Sequence, residues 1–113
     1  SARLNFDHFT TPLCFVGHSH LQCMFQLDQQ TDRVTLKQMR VGEPIQLESR
    51  LIANPGSVGQ PRDRDPRAAY AIYDSTAKTW EPRRVAYNIS EVQQRIREAG
   101  LPEKHAVRIA EGW

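Results

Sequence analysis

Leu13-Cys14-Phe15-Val16-Gly17-His18-Ser19-His20 is the stretch on which the fold turns. Its four consecutive apolar residues alternate with nothing polar, which predicts a strand inside a sheet covered on both faces. Gly17 ends the strand, and two imidazoles follow it, one residue apart, where sites on sheet scaffolds tend to lie. In extended backbone, positions i and i+2 project to the same side about 6–7 Å apart. His18 and His20 on such a segment can converge on one cation, or on two cations about 3.5–4 Å apart. The spacing by itself leaves a second reading open, two polar loop histidines in solvent. Adding Cys14 and Cys23 would complete four soft ligands for zinc, but Cys14 lies within the apolar run and Cys23 falls on the opposite strand parity. The same parity argues against a disulfide between them.

Working outward, Leu4, Phe6 and Phe9 are isolated apolar points that suit the tail of a helix, so the start reads as arriving mid-structure. Downstream, Cys23, Phe25 and Leu27 alternate, Asp28 to Asp32 supply a turn, and Val34 and Leu36 alternate again, which predicts a hairpin. Ile45 and Leu47 continue the pattern, and Leu51-Ile52-Ala53 is a further short apolar run broken by Asn54-Pro55-Gly56. A long loop from Pro55 to Pro66 precedes a second hairpin, with Ala68–Tyr73 as one arm and Trp80, Val85 and Tyr87 on the other, joined by Asp74 to Lys78. Helices come last. Asn88 caps with Glu91 three residues on, Tyr87 and Val92 form a hydrophobic staple, and Ile89, Val92, Ile96 and Ala99 make one apolar face. Gly100 suits a left-handed stop with Leu101 folding back on Ile96, and Pro102 suits the start of a second helix over Glu103–Ala110.

The 113 residues, 39% hydrophobic and 25% charged, make one domain at most and exclude disordered, collagenous and disulfide-scaffold classes. Fifteen basic against thirteen acidic side chains leave +2, too little to draw the chain as a whole toward nucleic acid or an anionic membrane. An apolar run of four is far below the roughly 20 residues of a membrane span. Two cysteines and a start without a basic-then-apolar leader point to the cytoplasm.

Asn54-Pro55-Gly56-Ser57-Val58-Gly59-Gln60-Pro61-Arg62 has two readings. Its backbone N–H groups at Gly56, Ser57 and Gly59 could form an anion nest, with Arg62 pairing with phosphate. Alternatively, and favoured, Pro55, Gly56 and Gly59 shape a tight connection that packs beside His18 and His20 and orients their rings. The run Arg62 to Arg67 carries three arginines against two aspartates, a net +1 that reads as a solvated loop rather than a nucleic-acid surface. Tyr70, Tyr73 and Trp80 read as cross-strand or core packing, and His105 as a helix-rim residue.

The motif Leu13 to His20, followed in order by Asn54 to Arg62 and by Asp65-Pro66-Arg67-Ala68-Ala69-Tyr70-Ala71-Ile72, resembles the C-terminal half of calcineurin-like metallophosphoesterases. Arg84-Val85-Ala86-Tyr87, the helix after it and Gly100-Leu101-Pro102 are similar to the bacterial small-phosphoesterase branch, so the resemblance runs from about Leu13 to Gly112. It implies an α/β (α+β) fold, the C-terminal part of a two-sheet sandwich made mostly of β hairpins and ending in two helices. It implies two divalent ions of the Mn, Fe, Zn or Ni class in the parent enzyme and attack of a metal-bridging hydroxide on a phosphomonoester or phosphodiester, with a phosphorylated small molecule or nucleotide as substrate. Of the family's ligands, only His18 and His20 carry over, with Gly17, Asn54, Gly56, Ser57 and Arg62 as supporting or phosphate-binding residues. The family's Asp-x-His, Gly-Asp and Gly-Asn-His motifs have no match in residues 1–113. The expectation is therefore a single partial domain over 1–113, lacking the N-terminal half, binding metal weakly or not at all by itself and inactive alone. Its exposed sheet edges predict homo-oligomers, and the alternative role is a non-catalytic protein-binding scaffold.

Overall fold

The structure, a computed structural model, describes every residue from Ser1 to Trp113. Elements follow in the order α1 (Ala2–Asn5), a 3-10 turn (Phe6–His8), β1 (Leu13–Phe15), β2 (Gln22–Asp28), β3 (Arg33–Leu36), β4 (Ile45–Gln46), β5 (Arg50–Pro55), β6 (Ala68–Asp74), β7 (Thr79–Val85), α2 (Ile89–Glu98) and α3 (Glu103–Glu111). Strands form two sheets, one ordered β1-β5-β2-β3 and the other β4-β7-β6.

Both hairpins have the expected turns. Asp28 Oδ1 accepts from the N–H groups of Gln30 and Thr31 at the β2–β3 turn, and Asp74 Oδ1 does the same for Thr76 and Ala77 at the β6–β7 turn. These aspartates satisfy turn amides that no strand reaches. Leu27 then faces Val34 across the first hairpin and Tyr73 faces Trp80 across the second. Pro82 sits mid-strand in β7, yet its missing N–H costs no ladder bond, because β4 pairs with β7 only at Thr79 and Trp80.

β5 is the interior strand of its sheet, parallel to β1 and antiparallel to β2, and Leu51 to Asn54 are all buried. Alternate β5 residues serve two cores. Leu51 and Ala53 meet Met24 and Trp80 between the sheets, whereas Ile52 meets Phe6 and Leu27 on the outer face. The outer cluster is roofed by the N-terminal turn, and Arg50 ties that roof down: its guanidinium stands over the Phe9 ring at 4.6 Å and donates to the Phe6 and Phe9 carbonyls.

The expected burial of Leu13–Val16 is corrected here. β1 is an edge strand with β5 as its one neighbour, so Phe15 is 51% exposed and Val16 41%. Phe15 nonetheless packs on Tyr73 and Trp80, its ring centroid 5.2 Å from each, so these aromatics join the two sheets.

The helices form as their caps predict. Asn88 accepts from the Glu91 N–H, and beyond α2 the Gly100 and Leu101 amides donate to the carbonyls of Arg97 and Ile96, with Gly100 at φ +70°. α3 runs one residue further than expected, to Glu111, and stops at a left-handed Gly112. No helix is long and apolar enough to cross a membrane.

Gly56 is the glycine the packing demands. It holds φ +87°, and a Cβ there would lie 2.7 Å from the Ala69 Cβ and 3.2 Å from that of Gln22, where β5 passes close to the other sheet. Gly56→Ala is expected to destabilise the fold by roughly 2–4 kcal/mol, combining backbone strain and overpacking. Gly59→Ala meets nothing within 4 Å and is expected to change stability by less than about 0.5 kcal/mol. Equal melting temperatures for the two variants would overturn this reading.

Candidate metal centre

The segment joining β1 to β2 is not extended. His18 and His20 both take left-handed backbone, φ +69° and +61°, where a non-glycine residue is strained by roughly 1–3 kcal/mol. Ser19 N–H donates to the Gly17 carbonyl at 2.8 Å, closing a tight three-residue turn around His18. Strand parity therefore does not hold across the two histidines, and the expected projection of both rings to one side of an extended backbone is corrected. The reason is local: Gly17 lies past the β1–β5 ladder, and the chain must reverse within five residues to enter β2 antiparallel to β5.

The two rings have different surroundings. His18 is exposed and lines a 690 Å³ cleft on the outer face of the first sheet, together with His8, Phe9, Cys14, Phe25 and Ile52. His20 is half-buried, and its Nδ1 lies 2.8 Å from the Gln60 carbonyl oxygen. A carbonyl can only accept, so Nδ1 carries the hydrogen and the neutral ring keeps its lone pair on Nε2. Imidazole ligands are commonly oriented in this way by a carbonyl behind the ring.

Asn54 holds the turn around His18. It is 2% exposed, its Nδ2 donates to the Gly17 carbonyl at 3.1 Å and to Ser19 Oγ at 3.0 Å, and its Oδ1 accepts from Gly56 N–H at 2.9 Å. Both amide hydrogens and a carbonyl lone pair are thus used within the loops. Ser57 Oγ accepts from Gln60 N–H, and the Ser57 carbonyl accepts from Ala69 N–H. Arg62 donates its backbone N–H to the His20 carbonyl at 3.3 Å and its guanidinium to Gln60 Oε1 at 3.1 Å. Gly17, Asn54, Gly56, Ser57 and Arg62 therefore all join one hydrogen-bonded assembly around the histidine turn, and Gly56 N–H already has a partner.

Residues 62–67 are solvated only in part: Arg62, Arg64 and Arg67 are exposed as expected, but the two aspartates are tied down. Asp63 pairs with Arg84, whose side chain is 5% exposed, and Asp65 pairs with Arg67. That second guanidinium holds the Asp65 carboxyl below its ordinary range. Arg64 stands 3.8 Å over the Trp113 ring and donates its N–H to the Gly112 carbonyl at 2.8 Å. Asp63 and Arg64, which offset each other in a charge count, are thus both engaged in tertiary contacts.

Sequence reasoning missed Gln22, Gln60 and Arg84. Gln22 shares the parity of Met24, and Arg84 that of Trp80, so each is a polar residue aimed between the sheets, which was the available signal. Gln60 acts through its backbone carbonyl, which leaves no mark in side-chain chemistry.

As a metal site, this donor set is incomplete. No group of three or more His, Cys, Asp or Glu side chains comes together. The free thiol of Cys23 is pushed up by burial, which keeps it protonated and a poor ligand. Two imidazoles with no carboxylate leave a divalent pair short of ligands and of compensating charge.

No protein-family model matches the chain. An uncharacterized protein of Methanocaldococcus jannaschii is 34% identical over 91 residues, covering 80% of this chain and 35% of that protein. The crystal structure of a metallophosphoesterase from Sphaerobacter thermophilus matches with a TM-score of 0.92 and 46% identity over 99% of this chain and 46% of that one. The chain thus spans between a third and a half of the length of these two relatives.

Asn54→Ala is expected to cost about 1–3 kcal/mol, because it leaves the Gly56 N–H without an acceptor and frees Gly17 and Ser19. Denaturant unfolding measures the loss. Wild-type stability in the variant would show that the turn does not depend on this side chain.

Proposed function

From the metallophosphoesterase-like fold, of which this chain matches a C-terminal part, we propose that it belongs to a metal-dependent phosphoesterase acting on phosphomonoesters or phosphodiesters. The observation that carries the proposal is the His20 ring, held through Nδ1 by the Gln60 carbonyl so that Nε2 is presented. His18, two residues away on a strained turn, is the second donor. Bound divalent cations would supply Lewis-acid activation of the phosphoryl group, and polypeptide beyond residues 1–113 would supply the donors that two imidazoles lack. The chain's own residues do the positioning: Asn54 shapes the turn beneath His18, and Ser57, Gln60 and Arg62 form the wall behind His20. On this reading the 113 residues alone are inactive.

A second reading, a non-catalytic protein-binding scaffold, is favoured by the apolar surface beside the histidine turn, where Phe15 is 51%, Val16 41% and Leu21 41% exposed. Metal content separates the two.

The full-length protein is expected to carry about two divalent ions per chain and to hydrolyse p-nitrophenyl phosphate or its bis ester. His18→Ala or His20→Ala is expected to lower metal content and to reduce kcat/KM by roughly 100-fold or more. Metal content and activity that survive both substitutions would refute the metal reading. The 113-residue chain by itself is expected to sediment as a dimer or larger species, because β1, β3, β4 and β6 end their sheets with unpaired edges. A strictly monomeric boundary would contradict this.

A further inference from the structure

We propose that the half-buried Asp63–Arg84 ion pair positions His20, by holding the Gln60 carbonyl against Nδ1 and so selecting the ring tautomer that presents Nε2. The proposal begins with how Arg84 spends its donors. Nε donates to Gln22 Oε1 at 3.0 Å, Nη1 to Asp63 Oδ1 at 3.1 Å and to the Asp65 carbonyl at 3.3 Å, and Nη2 to Asp63 Oδ2. A bidentate fork of this kind fixes direction as well as distance, which an ammonium on a flexible stem does not. With its side chain 5% exposed, the guanidinium has little water to turn to if Asp63 leaves.

This fork grips the histidine turn from two sides. On one side, Gln22 lies two residues after His20, and its Nε2 is shared among the carbonyls of Pro55, Tyr70 and Arg83. The strand that receives the turn is therefore pinned to the second sheet. On the other side, Asp63 directly follows Arg62, whose backbone N–H donates to the His20 carbonyl and whose guanidinium reaches Gln60 Oε1. Asp63 thus anchors the wall that faces the ring. Beyond it, Arg64 N–H is bonded to the Gly112 carbonyl, and a Cβ on Gly112 would lie 2.7 Å from the Asp65 nitrogen, so the C-terminal end of α3 closes the loop from outside.

Neither Asp63 nor Arg84 touches the His20 ring, so each acts through Gln60 as a positioning residue. The inference deepens the phosphoesterase reading, because the same nitrogen is the proposed donor there, but its test needs no metal. Long-range proton–nitrogen correlation spectra of the full-length, metal-free protein report which imidazole nitrogen bears hydrogen. The wild type is expected to show His20 as the Nδ1–H tautomer, with Nε2 of unprotonated type. In Asp63→Asn the two His20 nitrogen shifts are expected to move together by at least half of their separation, as the tautomers interconvert, while His8 and His105 stay unchanged. Asp63→Glu, which keeps the charge, is expected to restore the wild-type pattern in part.

An Nε2–H tautomer in the wild type would overturn the proposal, and so would a folded Asp63→Asn variant with an unaltered His20 signature. If Asp63→Asn gives no dispersed spectrum, Arg84→Lys keeps the positive charge, loses the fork and decides the question by the same readout. Absence of metal from the wild-type protein would sink the phosphoesterase reading and leave this tautomer measurement intact, so the two failures are distinguishable.

Discussion

Burial of β5 on both faces is the constraint on which the rest of the structure depends. A strand with neighbours on either side has its backbone groups paired, and each of its side chains must then find a core above or below. Leu51 and Ala53 look toward Trp80 and the second sheet, and Ile52 toward Phe6 and Leu27. The alternation that elsewhere would separate core from solvent here separates two cores. One four-residue run thereby sets the stacking of the sheets and the docking of the N-terminal turn.

Asn54 is where this packing becomes chemistry. It occupies the next position on the same buried strand, on the outer face with Ile52, and a polar group there must be satisfied by protein. Its partners are the Gly17 carbonyl, Ser19 Oγ and the Gly56 amide, so meeting its hydrogen-bonding demand folds the histidine turn and opens the following loop in one step. The strain in the left-handed His18 and His20 is held by that assembly and by the wall from Ser57 to Arg62. Such strain persists where surroundings over-determine it.

Much of the local structure was legible because local chemistry causes it. Asp28 and Asp74 close their turns with their own carboxylates, Asn88 caps α2, and Gly100 with Leu101 ends it, all within a few residues of chain. The strands were legible from period-2 alternation, and the two-sheet class from the resemblance that two motifs in order carry. The exposure of β1 was not, because an apolar run tells that a residue prefers burial and not whether a neighbour is present to provide it.

The sequence by itself determined the hairpins and the ends of α2, since each follows from side-chain chemistry acting over at most a few residues, and it singled out the two imidazoles as candidate donors through the family resemblance. Tertiary structure decided the left-handed backbone of the histidine turn, the protonated nitrogen of His20 and the engagement of Asp63 with Arg84. Those features depend on groups 40 residues apart for His20 and Gln60 and 21 apart for the ion pair. Nothing in a linear pattern specifies which carbonyl will face a ring, or which carboxylate a guanidinium, because that choice is made when two sheets pack and polar groups must pair without water.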